Sequence, residues 1–370
     1  MNHFKYVFRQ YTWDQMKQRI EATTLTDVRN SISRKKKTID DFCNLISPVA
    51  AAELEYMAQT ARAITQKRFG KTVQLFAPMY LSNECQNICT YCGFSLGNKI
   101  RRKTLSSIEI MQEAAALKAM GVAHVLLVSG EADKIAGIDY FMNAVQLLRP
   151  HFAHISIEVQ PLLRHEYSVL QQAGVHAVLV YQETYHEKVY RQYHPKGKKS
   201  NFQFRLDTPD RIGKAGLHKM GLGVLLGLED WRVDSFFNAL HIDYLQKTYW
   251  QTKYSVSFPR LRPAKGVAGP NFLMQDRDLL QLICAYRIWN EDLDISISTR
   301  EAEKFRDHII QLGPTSMSAG SKTNPGGYAV ADDSLEQFEV GDHRTMEVFK
   351  TVVKNAGYNA VMKDWEGVYS

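Results

Sequence analysis

Residues 73–94 read V-Q-L-F-A-P-M-Y-L-S-N-E-C-Q-N-I-C-T-Y-C-G-F. The run opens with V-Q-L-F-A-P (73–78), an apolar stretch with the composition of a buried strand. It continues into a loop that carries Cys85, Cys89 and Cys92, three of the five cysteines in the chain. In a barrel of alternating strands and helices, the loops that follow the strands share one mouth and carry the active site. The question is whether this first strand has seven companions.

Further short runs follow at H-V-L-L-V-S (124–129), H-I-S-I-E-V (154–159), A-V-L-V-Y (177–181), G-V-L-L-G (223–227), Y-S-V-S-F (254–258) and D-I-S-I-S-T (294–299), with a weaker I-I-Q-L-G-P-T-S-M (309–317). Amphipathic stretches separate them, most clearly 106–120, 207–219, 232–247 and 276–291. Eight strands alternating with helices predict an α/β fold, a closed TIM-type (β/α)8 barrel, over 71–330. A count of six would give an open barrel instead. Before the barrel, residues 1–70 read as a helical extension. Thr12 caps W-D-Q-M-K-Q-R-I, apolar residues recur at helical spacing from Asp41, and Gly70 ends the segment. Residues 331–370 read as a short C-terminal extension.

The composition is that of a soluble globular protein, with 45% hydrophobic and 23% charged residues over 370 positions. No apolar run approaches the roughly 20 residues needed to span a bilayer, and the N-terminus lacks a cleavable leader pattern, so a cytoplasmic location is expected. Cys43 and Cys284 lie alone in apolar helical contexts and read as buried structural thiols. The net charge is +7, with basic runs at 34–37 and 196–199. These runs read as solvated faces or loops, or as a docking surface for an acidic partner. Neither lies in a nucleic-acid-binding motif, so no nucleic-acid partner is expected.

Three thiolates within eight residues repel one another unless a metal centre neutralises them. A structural zinc site needs a fourth ligand, yet no histidine lies between His3 and His124. Three unrelated thiols would not require this spacing. An iron–sulfur cluster on three cysteines leaves one iron open for a small molecule. The pattern C-x-x-x-C-x-x-C, with an aromatic before the last cysteine and G-F after it, resembles the radical S-adenosylmethionine superfamily.

That resemblance implies a 4Fe–4S cluster on Cys85, Cys89 and Cys92, with S-adenosylmethionine chelated at the open iron. Reductive cleavage then yields methionine and a 5′-deoxyadenosyl radical, which takes a hydrogen atom from the substrate. By the same resemblance, Tyr91 and Phe94 border the cofactor, and the S-G-E turn with Gly130 and Glu131 contacts its methionine amino group. Glu183, in Y-Q-E-T-Y, would contact the ribose or amino group. Arg205, in the biotin-synthase-type segment R-L-D-T-P-D-R, would pair with the cofactor carboxylate.

Four further segments narrow the resemblance: Y-S-V-S-F-P-R-L-R-P-A (254–264), S-T-R-E (298–301), S-A-G-S-K-T-N-P-G-G-Y (318–328) and K-D-W (363–365). Together they are similar to the tyrosine lyases of thiamine biosynthesis, which cleave the Cα–Cβ bond of L-tyrosine to dehydroglycine and p-cresol. The resemblance implies thiazole synthase as partner and a flavodoxin or ferredoxin as electron donor. An amino-acid substrate needs its carboxylate held. Arg300 suits that task, with Ser318 and Ser321 as hydroxyl donors. The hydrogenase-maturation tyrosine lyases share the front end but carry a cysteine-rich tail, whereas no cysteine follows Cys284 here. A tryptophan lyase and a zinc-stabilised binding barrel are the remaining alternatives.

Overall fold

The structure, a computed structural model, describes residues 3–264, 266, 267, 269–330 and 336–362. The K-D-W segment lies outside them.

The strands are β1 (Thr72–Ser82), β2 (His124–Ser129), β3 (His154–Glu158), β4 (Val175–Leu179), β5 (Lys219–Gly223), β6 (Lys253–Ser257), β7 (Asp294–Ile297) and β8 (Ser316–Ser318). Each pairs in parallel with the next, and β1 pairs with both β2 and β8, so the eight close into a barrel. A ninth strand, β9 (Asn359–Val361), adds in parallel to the start of β1.

The pleat of β1 explains its nearly continuous apolar sequence, since both of its faces are buried. Val73, Leu75, Ala77, Met79 and Leu81 join the main core with the surrounding helices. Phe76 and Tyr80 belong to a separate cluster with Phe94, Leu126 and Val128, which fills the barrel interior.

Two expected strands move. The fifth is Lys219–Gly223, not 223–227. Gly221 and Gly223 supply the reason, because a Cβ on Gly221 would lie 2.7 Å from the Leu179 side chain and one on Gly223 would lie 2.9 Å from the Tyr181 ring. The glycines are thus the positions at which this strand leaves room for its neighbours, and the apolar V-L-L that follows is loop. The eighth strand is only Ser316–Ser318, and Glu303–Ile309 ahead of it is helical, so the run predicted from 309 begins at a helix end. The helix predicted over 207–219 is shorter, Thr208–Lys214, since β5 starts at Lys219.

The N-terminal helices pack on the outside of the barrel. Thr12 caps Trp13–Glu21 with a reciprocal bond to Gln15, as its position in the sequence predicts. Phe4 stacks on His241 with ring centroids 3.6 Å apart, and Phe42 packs on Tyr286 and Trp289. Cys43 and Cys284 are fully buried, and burial pushes each thiol up to about 12. Both are inert packing residues.

The C-terminal segment is tied back to β8 by buried charge. Arg306 pairs with Asp342 and donates to the Ser318 carbonyl, while Arg344 donates to Asp342 at 2.7 Å. Arg306 and Asp342 are each 1% exposed. Removing one partner leaves a buried charge uncompensated, which costs about 3–5 kcal/mol. Asp342→Ala is therefore expected to lower unfolding stability by about that amount, read as a drop in the urea midpoint.

Candidate functional site

The strand ends open into one chamber at the barrel mouth, lined by all three loop cysteines, by Glu131, Glu183 and Arg205, and by Arg300, Ser318 and Ser321. The sequence places these residues up to about 240 positions apart, and the closed barrel brings them together.

The cysteine loop is held by its own backbone. Arg102 collects the carbonyls of Asn83 (2.6 Å), Phe94 (2.8 Å) and Ser95 (2.8 Å). Ser95 Oγ accepts the Cys89 N–H at 3.0 Å. The S-G-E turn after β2 braces the other side: the Gly130 N–H donates to the Ser82 carbonyl (2.9 Å), and the Glu131 carbonyl accepts from the Gln86 N–H (2.8 Å). A Cβ on Gly130 would stand 2.2 Å from the Glu84 carbonyl oxygen, so only glycine permits this contact.

The donor set fits an iron–sulfur cluster better than a single zinc ion. Zinc on a tetrahedron of thiolates, with Zn–S of about 2.3 Å, draws sulfurs to within about 3.8 Å of one another. Here the three Sγ atoms do not all come within 4.8 Å, and the sole group of three or more potential ligands that does so among the described residues is His3, Asp207 and Asp210, elsewhere. Burial pushes the Cys85 and Cys89 thiols up, and the neighbouring cysteines add to the effect. To be held as thiolates, these groups would need a cationic centre beside them. Gln337 Nε2 reaches Cys92 Sγ at 3.8 Å, a donor of the kind that tunes cluster potential.

Beside the loop lies a buried network of two acids and two bases. Arg205 donates to Glu131 at 2.9 Å, to Glu183 at 3.5 Å and to the Tyr181 carbonyl at 2.6 Å. Lys199 donates to Glu183 at 2.7 Å. Burial alone would raise the Glu183 carboxyl, but Lys199 and Arg205 outweigh it and hold it below its ordinary value. Glu183 is also the one non-glycine residue with positive φ (71°) among the described residues. Strain of this kind clusters at functional sites. Tyr91, expected at the cofactor, bonds His194 Nε2 through its hydroxyl at 2.6 Å, and Phe94 packs edge-on against Tyr80.

Lys199 corrects the reading of 196–199 as a solvated run. Its backbone N–H donates to Asn87 Oδ1 (3.0 Å), and the Ile88 N–H donates to the Lys196 carbonyl (3.0 Å), so the segment docks on the cysteine loop. Gly197, at φ 95°, allows this close approach, since a Cβ there would lie 2.1 Å from Asn87 Oδ1. No local pattern distinguishes Lys199 from its exposed neighbour Lys198.

Across the chamber, Arg300 stacks on Phe338 at 3.3 Å and has no ion-pair partner among the described residues. Glu301 beside it is 2% exposed and binds Arg260 Nε at 2.8 Å and Arg262 at 3.3 Å. The S-T-R-E and P-R-L-R-P segments thereby hold each other and aim Arg300 at the chamber. Ser318 Oγ accepts the Thr299 N–H at 3.0 Å, whereas Ser321 Oγ is buried without a partner among the described residues. Glu158, Lys199, Tyr181 and Gln337 also line the chamber and escape the sequence reading. For Glu158 a signal exists: it is the one charged residue in H-I-S-I-E-V, at the strand end that faces the mouth.

A cysteine loop at the mouth of a parallel barrel, facing a substrate-sized chamber, defines the class of radical S-adenosylmethionine barrel enzymes. Residues 79–240 match the radical SAM superfamily model, and residues 257–359 match the biotin and thiamin synthesis associated domain. The chain is 48% identical over 99% of its length to a 2-iminoacetate synthase of Escherichia coli, covering 97% of that protein, and 46% identical, with the same coverages, to one of Salmonella typhimurium. A crystal structure of HydG, a maturase of the [FeFe]-hydrogenase, superposes with a TM-score of 0.90 at 28% identity, over 94% of this chain and 80% of that one. The chain belongs to the 2-iminoacetate synthase family.

The Gly130–Glu84 contact generates a direct test. Gly130→Ala is expected to displace the cysteine loop and reduce cluster assembly at least several-fold, read as iron and sulfide per chain after anaerobic reconstitution.

Proposed function

We propose that this protein is a tyrosine lyase that breaks the Cα–Cβ bond of L-tyrosine, giving 2-iminoacetate and p-cresol, and that the imine supplies the thiazole of thiamine. One observation carries the reading: across a single chamber, three thiols on a braced loop face an arginine with no ion pair and a serine hydroxyl with no partner among the described residues.

Cys85, Cys89 and Cys92 would hold the cluster. With S-adenosylmethionine bound beside them, the cluster would supply the reductive radical chemistry that removes a hydrogen atom from the substrate amino group. The chain's own residues bind and orient. Arg205, Glu131, Glu183 and Lys199 form a preorganised polar wall beside the loop, whose charges are already paired and need little rearrangement on binding. Tyr91, Phe94 and Gly130 shape the cofactor side. Arg300 holds the substrate carboxylate as a planar fork, with Ser318 and Ser321 donating from the next strand and loop. Phe76, Leu126 and Val128 keep the ring's end of the chamber dry, which protects a radical from water.

An imine hydrolyses in water, so the enzyme that consumes it must take it up quickly. Thiazole synthase is the partner we propose for that step. For the electron donor we propose a small acidic flavodoxin or ferredoxin, matched to a chain of net charge +7. Among the described residues no helix is long and apolar enough to cross a membrane.

Anaerobic incubation of the reconstituted protein with S-adenosylmethionine, reductant and tyrosine is expected to release p-cresol and 5′-deoxyadenosine. Deoxyadenosine without p-cresol would remove tyrosine as the substrate, and Cys89→Ala is expected to make neither product. Arg300→Met should raise the KM for tyrosine by about 10- to 100-fold, the loss of a charge-assisted pair, with cluster content unchanged.

A further inference from the structure

We infer that Glu158 reads the far end of the substrate: its carboxylate accepts the hydrogen of the tyrosine hydroxyl and selects tyrosine over phenylalanine. This rests on the tyrosine-lyase reading of the same chamber and adds a residue that the reading does not require.

The argument starts from position. Glu158 ends β3 and Arg300 lies three residues beyond the end of β7. In the closed order of strands, β3 and β7 are four apart in either direction, so they stand on opposite sides of the barrel. In the pose we infer, an amino acid whose carboxylate is held at Arg300 points its side chain toward β3. Tyr80, Val128 and Glu158 share one register row across β1, β2 and β3. Around Glu158 the chamber is lined by Phe76, Tyr80, Leu126, Val128 and Leu179, an apolar and aromatic surface suited to a ring.

The second observation is the state of the carboxylate. Glu158 lines the chamber, yet it has no hydrogen-bond or ion-pair partner among the described residues. The other chamber carboxylates differ: Glu131 and Glu183 are paired with Arg205, and Glu301 with Arg260. A carboxylate held in a chamber without a donor is costly, and the cost falls when a ligand brings one. The tip of a tyrosine ring offers a single O–H donor at that place. A phenylalanine ring offers none and would leave the carboxylate desolvated and unpaired, which is how such a site discriminates.

Electrostatics agree. Burial raises the Glu158 carboxyl to about 7; Arg300, Lys199 and Arg205 pull it down, and Glu183 pushes it up. The Tyr80 and Tyr181 hydroxyls are held up by burial first and then by the Glu158 charge, while Tyr80 spends its own proton on Gln337 Oε1 at 2.7 Å. The charged acceptor is present above pH of about 7 and is lost as pH falls through that value.

The test uses reconstituted holoenzyme and compares wild type with Glu158→Gln. Dissociation constants are measured for tyrosine and for phenylalanine as a competing ligand. Tyrosine is expected to bind about 10- to 100-fold more weakly in the variant, while phenylalanine is nearly unchanged, so the preference collapses. An unchanged preference, or equal weakening of both ligands, would overturn the assignment, the second outcome marking a structural role. Should the variant fail to assemble its cluster, the wild-type pH profile decides. Tyrosine affinity should decline below pH of about 7 with no matching decline for phenylalanine, and parallel profiles overturn the proposal. Wild-type protein that forms no p-cresol would sink the lyase reading instead, a different readout from the binding ratio.

Discussion

The pairing of β1 along both of its edges is the constraint on which the molecule depends. β1 bonds β2 through Ala77–Ser82 and β8 through Gln74–Phe76, and this double pairing turns a sheet into a barrel. Closure has a direct chemical consequence. It fixes the end of β1, and with it the cysteine loop, in one ring with the ends of β2 to β8. Loss of the β1–β8 pairing would leave the three thiols on an open edge, with no chamber to serve. The short β8 is sufficient because it is reinforced from outside: Arg306 bonds the Ser318 carbonyl, and Tyr328 on the following loop bonds the Pro78 carbonyl at 2.8 Å.

The mouth concentrates charge in a place that resists charge. Glu131, Glu183, Arg205 and Lys199 are two acids and two bases in one buried cluster, and neutrality within the set is what makes it tolerable. Pairing also fixes geometry, since each group is held by at least one other member of the set. The strained backbone at Glu183 fits this picture. Leu225 N–H bonds the Glu183 carbonyl at 2.9 Å, so tertiary contacts hold a conformation that the residue alone would avoid. Arg300, Ser321 and Glu158 follow the opposite rule. Among the described residues Arg300 has no ion pair, and Ser321 Oγ and the Glu158 carboxylate have no hydrogen-bond partner, which sets them apart from the paired groups beside the cysteine loop.

Much of this was readable before folding. The cysteine spacing identifies a metal-binding loop, and alternating apolar runs identify the barrel, because both signals are local in sequence. The misses are also physical. β5 was displaced because its inward positions are glycine, which removes the apolar alternation by which a strand is recognised. β8 is blurred because it has only three residues and the apolar Ile309 that opens the predicted run belongs to the preceding helix. Lys199 carries no local sign of burial beside Lys198 in a basic run; the docking of Gly197 on Asn87 puts it inside. Gln337 was assigned to a terminal extension, yet it touches both Tyr80 and Cys92.

By itself, the sequence determined the chemistry that depends on neighbouring residues: the three-thiol loop, its strand, the helical caps and the eightfold alternation. Backbone geometry and ligand spacing are local properties, and a few residues suffice to write them. Only the tertiary structure decided which charges are spent on one another and which remain for a ligand. Arg205 and Arg300 both line the chamber, but one is saturated by two carboxylates and the other has no ion pair among the described residues. That difference is a matter of distance across a closed barrel between residues remote in the chain, and no local pattern encodes it.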